Sequence, residues 1–596
     1  MEKRPALIEI LLITGIGFLT GIKAVLGEWH FDDYYTIVNN EALREPSNIF
    51  RAFFEPSLFS ADPLRKMYRP VLVISYILNF LIFGEKPQFF LAVNLCLHLI
   101  NALLIWWIIR ELRGDKESSA LIGGLIYAVH PACTEGIAYV SARSAVLATT
   151  LTYSALLYYI KWDKTNSIVY LMIAVLLFAL GIGAKSIAIV FLPLGLMYDL
   201  SFADKSKNKI MKKLMGILLV ASLSAGYMMW RKIVIGTVLA ESLIRPLSEN
   251  IFTQARAYFH YLRLYLFPIH QSINPYFPTY PTITGEVAFS FLALSILSLV
   301  SLFLAFKKSP SQKIVGFGIL WILICLLPES SIIPLNLVVS ERRMILPLGG
   351  GAMVMAGVIA SVPPLPKKIF SIILILCFSA LSFVRLGEWK TEKKVWYSAV
   401  RIDPHWSLLW NNLGLLALQE NNTSKADQMF KISARKDSAF KEARYNLGNL
   451  YAMQGFYGEA EKMYLEAIKI DPGYEKPVVM LAQQWYKLGE KEKALSLLST
   501  FVDKYPATRA YYILGNISLE EGDLAKAFFY YLESADSAPW DPLPNLEFAK
   551  LAVRLGAHQK AVEVLKRFLT VYKPSDANRK EAEKLLKTIS APDMIR

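Results

Sequence analysis

The sequence predicts an all-α protein of two unlike parts. Residues 1–387 form a polytopic bundle of transmembrane helices, and residues 404–574 form a water-soluble α-solenoid. A short connector (388–403) joins them, and a capping helix and tail (575–596) follow. Three observations predict this. Hydrophobic residues make up 54% of the 596, and up to about Arg385 they fall in long runs. Those runs approach the ~20 residues that cross a bilayer. Beyond Asp403 the chain turns charged, and small residues recur with a period near 34.

Eleven runs read as spans: 6–26, 88–109, 118–133, 144–160, 167–183, 186–201, 214–232, 286–306, 314–333, 344–362 and 368–385, of which two are short enough to be re-entrant. The first follows Met1-Glu2-Lys3-Arg4-Pro5 and exceeds a usual signal h-region, so it reads as a retained helix. The run 71–83 is too short to span and suits an interfacial or re-entrant helix. The formal charge of +15 does not point to nucleic acid, because many basic residues sit in short segments between apolar runs. With the N-terminus in the cytoplasm, the inside loops 110–116, 161–164, 205–213, 307–313 and 363–368 all carry Lys or Arg. The segments 27–87, 130–143, 232–285 and 329–343, the turn at Lys185 and everything after Arg385 then lie outside, in the periplasm or the lumen. Cys96, Cys133, Cys325 and Cys377 show no metal-ligand spacing and read as buried small hydrophobes.

Gly414, Gly448, Ala482, Gly515 and Ala549 are spaced 34, 34, 33 and 34 residues apart, and Ala426, Ala460, Ala494, Ala527 and Ala561 follow. Gly455, Gly489, Gly522 and Gly556 mark turns between paired helices. Pro472 and Pro539 end second helices. Phe430, Tyr464, Leu498, Tyr531 and Leu565 read as filling the gap to the next repeat. This is the tetratricopeptide spacing, and five units suffice for a stable stack. Its concave face suits a peptide or protein partner; the plain alternative is a spacer.

Ionisable residues at a membrane mouth are candidates for chemistry. Four groups fall on one side in this topology. In His30-Phe31-Asp32-Asp33-Tyr34, either carboxylate could take a proton from an attacking hydroxyl, Asp33 being slightly preferred, although Asp33 could instead cap a helix. His130, Glu135 and Arg143 share one tight turn, which could equally be structural. Lys185 is a lone cation between apolar runs; it either snorkels to the interface or meets an anion. Arg342 and Arg343, beside Glu341, could hold a phosphate in bidentate fashion or anchor the interface. Together they suggest a hydroxyl-activating carboxylate with Lys185, Arg342 and Arg343 on an anionic lipid phosphate.

The order of blocks carries a resemblance: Asp32-Asp33, Tyr68-Arg69-Pro70, His130-Pro131 with Glu135, Gly183-Ala184-Lys185, then Tyr261-Leu262-Arg263-Leu264-Tyr265-Leu266-Phe267-Pro268. Ser340-Glu341-Arg342-Arg343 and Trp389-Lys390-Thr391-Glu392 with Trp396 complete it. Over nearly its whole length the chain resembles the transmembrane and tetratricopeptide repeat-containing protein O-mannosyltransferases, within the type C (GT-C) glycosyltransferase fold. The resemblance implies an active site on the lumenal or periplasmic side and a polyprenyl-phosphate sugar donor, typically dolichyl-phosphate mannose. It implies transfer to Ser or Thr hydroxyls with no metal or other cofactor required, and a base at Asp32 or Asp33. Arg69, His130, Glu135 and Arg143 would support the site. Lys185 precedes Ser186 where relatives often carry Glu, and the shorter repeat array points to a prokaryotic member with a different sugar or acceptor. Two other readings stand beside this one: a GT-C enzyme acting on a glycolipid or polysaccharide, and a membrane-anchored repeat scaffold without catalysis.

Overall fold

A computed structural model describes residues 3–62, 65, 67–113, 119–203, 207–235, 245–330, 334–572 and 577–590, and every regular element among them is a helix. The expected loops 110–116 and 205–213, the segments 232–285 and 329–343, the 574–575 boundary and the tail after 590 lie wholly or partly outside them. The chain divides into two compact units, Met1–Ile402 and Asp403–Arg596. The helix Glu392–Ile402, expected within a connector, belongs to the first.

All eleven expected runs meet a helix, but fewer helices are long and apolar enough to span. Among the described residues these are Ala6–Leu26, Pro87–Arg113, Gly216–Ile235, Gly285–Ala305 and Pro364–Glu388; Ser119–Val129 with Pro131–Ala138, bent by 51°, is a sixth if taken as one span. The bend follows from Pro131, which cannot donate a backbone hydrogen bond. The expected runs at 167–183, 186–201, 314–333 and 344–362 fold as the shorter helices Ile168–Ala184, Ser186–Ser201, Pro310–Leu326 and Leu348–Ala360. The helix Arg143–Thr165 is 23 residues long but carries charge at both ends. A count of eleven spans does not follow from the helices alone.

Outward faces carry the membrane signal. On Gly285–Ala305, Phe289, Leu292, Ile296, Leu299 and Phe303 form one stripe, each more than half exposed. Inner faces pack by close backbone approach: a Cβ on Gly318 would lie 2.6 Å from the carbonyl oxygen of Gly350, so small residues set that helix crossing. Cys133 and Cys325 are buried as expected, whereas Cys96 and Cys377 lie on exposed faces. The run 71–83 forms the helix Pro70–Phe83, 14 residues long and ended by Gly84 at φ 72°. At about 21 Å it is too short to span. The expected loop 232–285 contains an unforeseen helix, Leu247–Leu266, whose Tyr258, Tyr261 and Leu264 are buried.

The second unit holds five helix pairs, from Ser407–Gln419 with Thr423–Lys436 to Pro542–Arg554 with His558–Val571. Gly455, Gly489, Gly522 and Gly556 have φ between 77° and 87°, and Asn421 takes the same left-handed turn in the first pair. The bulky residues share core clusters with the next repeat, as Tyr464 does with Leu481 and Tyr531 with Leu546 and Phe548, and they also pack within their own. A Cβ on Gly448 would meet the Tyr464 ring, and one on Gly515 the Tyr531 ring, so each ring fills the notch left by the glycine of its own repeat. The helix Ala577–Ile589 caps the stack, burying Ala582 and Ile589 in the last repeat's core.

Candidate active site

The site is built on the segment after the first long helix. Phe31 has φ 46°, a conformation that costs a non-glycine residue about 1–3 kcal/mol. Three aromatic edges hold it there: Trp396 at 5.0 Å between ring centroids, Tyr139 at 5.9 Å and Trp389 at 6.4 Å. The next two residues consequently point apart. Asp32 turns outward; its side chain is 44% exposed, and Arg65 Nη1 donates to its Oδ1 at 2.5 Å. Its backbone N–H donates to the Tyr139 hydroxyl at 3.2 Å.

Asp33 turns inward and is fully buried. Its Oδ2 accepts from the His30 backbone N–H at 3.1 Å, and its Oδ1 accepts from the Ser141 N–H and hydroxyl at 2.8 and 2.5 Å. It does not cap the following turn, Tyr34–Val38, with its side chain. Instead it staples the first loop to the 139–143 turn. Burial pushes its carboxyl up to about 7, against the lowering effect of these hydrogen bonds.

A group of cations and carboxylates faces this segment. Lys185 Nζ donates to Glu329 Oε1 at 2.7 Å, with both side chains largely buried. Arg69 and Arg342 act on the same pair as neighbouring charges. Burial lowers Lys185 to about 8; Glu329 opposes that fall, while Arg69 and Arg342 add to it. Burial disfavours ionisation of Glu329, yet Lys185, Arg343 and Arg342 hold it below the usual carboxylate range. Arg342 also lies in the field of Glu135 and Asp32, and its backbone N–H donates to the Glu135 carboxylate. Three cations, Arg69, Lys185 and Arg342, thus converge on two carboxylates beside Asp32, an arrangement with capacity for an anion.

The remaining expected site residues serve the scaffold. Arg143 is fully buried; it donates to Asn94 Oδ1 at 2.8 Å, Asn79 Oδ1 at 2.9 Å and the Phe90 carbonyl at 2.8 Å, between the rings of Tyr76 and Phe90. It locks Pro70–Phe83 against Pro87–Arg113. Arg343 donates to the carbonyls of Val338 and Leu337, each at 2.7 Å. These bonds occupy both of its terminal nitrogens, so it does not pair with Arg342 as a clamp, although it acts on Glu329 as a neighbouring charge. His130 Nδ1 accepts from the Ala132 N–H at 3.1 Å, and Nε2 bonds the Tyr265 carbonyl at 3.1 Å, which fixes the bend. Sequence reasoning missed Arg65 and Glu329. Glu329 carried a usable signal as a lone carboxylate at the end of an apolar run. Among the described residues no three His, Cys, Asp or Glu side chains are grouped to hold a metal ion.

Residues 69–230 match the family described as dolichyl-phosphate-mannose-protein mannosyltransferase, and residues 441–474 and 479–542 match tetratricopeptide repeat families. Among curated relatives, protein O-mannosyl-transferase F38B6.6 of Caenorhabditis elegans is 23% identical over 484 residues, covering 78% of this chain and 63% of the relative. Protein O-mannosyl-transferase TMTC3 of Homo sapiens is 24% identical over 509 residues, covering 78% and 55%. Protein O-mannosyl-transferase TMTC4 of Mus musculus is 25% identical over 484 residues, covering 71% and 65%. The chain spans somewhat more than half the length of these relatives. The order of site motifs, the repeat array and these relatives agree: the chain is similar to the transmembrane and tetratricopeptide repeat-containing protein O-mannosyltransferases.

Proposed function

We propose that the protein is a membrane glycosyltransferase that moves a sugar, mannose by similarity, from a polyprenyl phosphate to Ser or Thr hydroxyls of proteins on the outer or lumenal face. The observation that carries this reading is the convergence of Arg69, Lys185 and Arg342 beside the solvent-accessible Asp32. Asp32 accepts the proton of the acceptor hydroxyl as that oxygen attacks the anomeric carbon. The bond between that carbon and the phosphate oxygen breaks, and the polyprenyl phosphate leaves. Arg342 and Lys185, with Arg69 behind them, hold the charge that grows on the leaving phosphate. Arg65 releases Asp32 or stays on Oδ1 while Oδ2 takes the proton.

The N-terminus is cytoplasmic in this reading, because the short loops on that side are basic. The repeats lie on the opposite side with the site and recruit the acceptor chain. The test is mass spectrometry of glycopeptides and glycolipids from cells with and without the gene. Hexose on Ser or Thr that disappears with the gene supports the reading. Loss confined to a glycolipid overturns the protein acceptor.

A further inference from the structure

The helix Glu392–Ile402 begins after the last long span, and the chain runs from it into the repeats. A connector needs few buried contacts. This one buries Val395, Trp396, Ser398, Ala399 and Val400, and its contacts lead in two directions.

The first is aromatic. The Trp396 ring meets Phe31 at 5.0 Å, edge to face, and Phe31 is the residue in the left-handed conformation immediately before Asp32. Trp389, at the end of the last span, stacks on Tyr139 at 5.9 Å, and the Tyr139 hydroxyl accepts from the Asp32 N–H. The Trp389 carbonyl also bonds His30 Nε2 at 2.9 Å. Both neighbours that fix the Asp32 backbone therefore rest on this junction.

The second direction is ionic. Arg385 is buried near the end of the last span; its Nη1 donates to Glu388 Oε2 at 2.7 Å and to the Ser398 hydroxyl on the connector helix at 3.2 Å. Arg401, on the same helix, donates to the other oxygen of Glu388 at 2.8 Å. The opposite edge of Arg385 faces Glu341, with Nη2 at 3.9 Å from Oε2. Glu341 is buried, accepts from the Ser272 N–H at 2.7 Å, and immediately precedes Arg342. Each path ends one residue before a group that the proposed reaction uses.

We infer that the helix Glu392–Ile402 is part of the active-site architecture, with Trp396 a positioning residue for Asp32 and Arg385 a positioning residue for Arg342. This rests on the reading of Asp32 as base and Arg342 as phosphate ligand. Trp396 sustains the strained turn that aims Asp32 at the acceptor, so its loss slows the chemical step. Arg385 sustains the carboxylate that seats the Arg342 turn, so its loss weakens donor binding. A purely structural role would lower thermal stability and the folded fraction, so kcat is taken per folded protein and read beside thermal unfolding.

The test is steady-state transfer by the purified full chain, with Trp396→Ala, Trp396→Phe and Arg385→Gln measured beside Asp32→Asn and Arg342→Lys. Trp396→Ala should lower kcat about 10²-fold, the scale of a small misplacement of a reacting group, with donor KM unchanged. Trp396→Phe keeps an aromatic edge and should restore kcat. Arg385→Gln should raise donor KM about tenfold with kcat unchanged. If Trp396→Ala does not fold, Trp396→Leu replaces it with the same expectation. Folded Trp396 variants with wild-type kcat, no rescue by Phe, or kcat and KM moving together in both variants overturns the inference. Unaltered transfer by Asp32→Asn and Arg342→Lys overturns the underlying reading instead.

Discussion

Two adjacent carboxylates, one exposed and one buried, allow a paired perturbation with opposite expected outcomes. Asp32→Asn removes the exposed carboxylate that the proposed reaction uses as its base, and a general base contributes about 10²–10⁴-fold. Transfer should fall by that factor while thermal unfolding is unchanged. Asp33→Asn should do the reverse. The Asp33 carboxylate accepts from two backbone N–H groups, those of His30 and Ser141, through different oxygens. An amide has one acceptor oxygen, so whichever way it turns, one of those N–H groups loses its partner. A buried unsatisfied group costs about 1–3 kcal/mol. The size of the loss should depend on pH. The Asp33 carboxyl is raised from its ordinary 3.8 to about 7. Between those values the folded protein holds a proton that the unfolded chain has released. The favourable contribution is therefore complete below about pH 4 and is lost as pH rises through 7. Asn cannot titrate, so its deficit relative to Asp should be largest at about pH 4 and below and shrink steadily toward pH 8. Thermal unfolding of both proteins in one detergent across that range measures it, with transfer assayed in parallel. A deficit that stays constant or grows with pH refutes the buried-acid argument. A collapse of transfer in well-folded Asp33→Asn, with Asp32→Asn active, refutes the assignment of roles.

Donor use should weaken as pH rises through about 8, because the free protein then loses the Lys185 charge. Lys185→Arg should abolish that dependence, and kcat/KM for the donor against pH reads both. Arg342→Lys should raise donor KM with acceptor KM unchanged, because a point charge does not replace a planar fork; a change seen only with varied acceptor contradicts the phosphate role. In intact cells an impermeant thiol reagent should label Asn449→Cys and not Lys207→Cys, and the opposite pattern inverts the topology. Deleting residues 404–596 should lower transfer to a native protein acceptor but not to a short peptide at high concentration. The repeats would supply an effective concentration toward the mM range. Equal activity on both acceptors reduces them to a spacer, and loss on both means that they complete the catalytic fold.

Periodicity made the repeats legible, down to the glycine turns, because a fixed interval needs no knowledge of contacts. It pointed Tyr464 and Tyr531 at the next repeat, where they do share a core, but missed that each ring also fills the notch at its own repeat's glycine, since the interval does not say how many sides a ring touches. The membrane part was legible as apolar runs and not as a span count. Leu247–Leu266 escaped because its polar face, with Glu249, Gln254, Arg256 and Arg263, dilutes any running hydropathy while Tyr258, Tyr261 and Leu264 go inward. The rule that ionisable residues near apolar runs are candidates picked out Lys185 and Arg342, which the structure brings together beside Glu329. Applied evenly, it would also have found Glu329. It could not separate Asp32 from Asp33, or Arg342 from Arg343, because neighbours in sequence can face opposite ways. That orientation depends on the left-handed turn at Phe31 and on the carbonyls of Leu337 and Val338 that hold Arg343. Arg143 misled for a related reason: its partners Asn79 and Asn94 are neutral amides that give no charge signal.

The claim that this site transfers a sugar from a lipid phosphate is tested most directly by reconstitution. The purified chain in lipid nanodiscs would receive polyprenyl-phosphate mannose, radiolabelled in the sugar, and a Ser/Thr-containing acceptor. The account predicts label on the acceptor hydroxyl, release of one polyprenyl phosphate per sugar moved, and loss of both with Asp32→Asn. Transfer from a nucleotide sugar and not from the lipid donor, or full activity in Asp32→Asn, would contradict it.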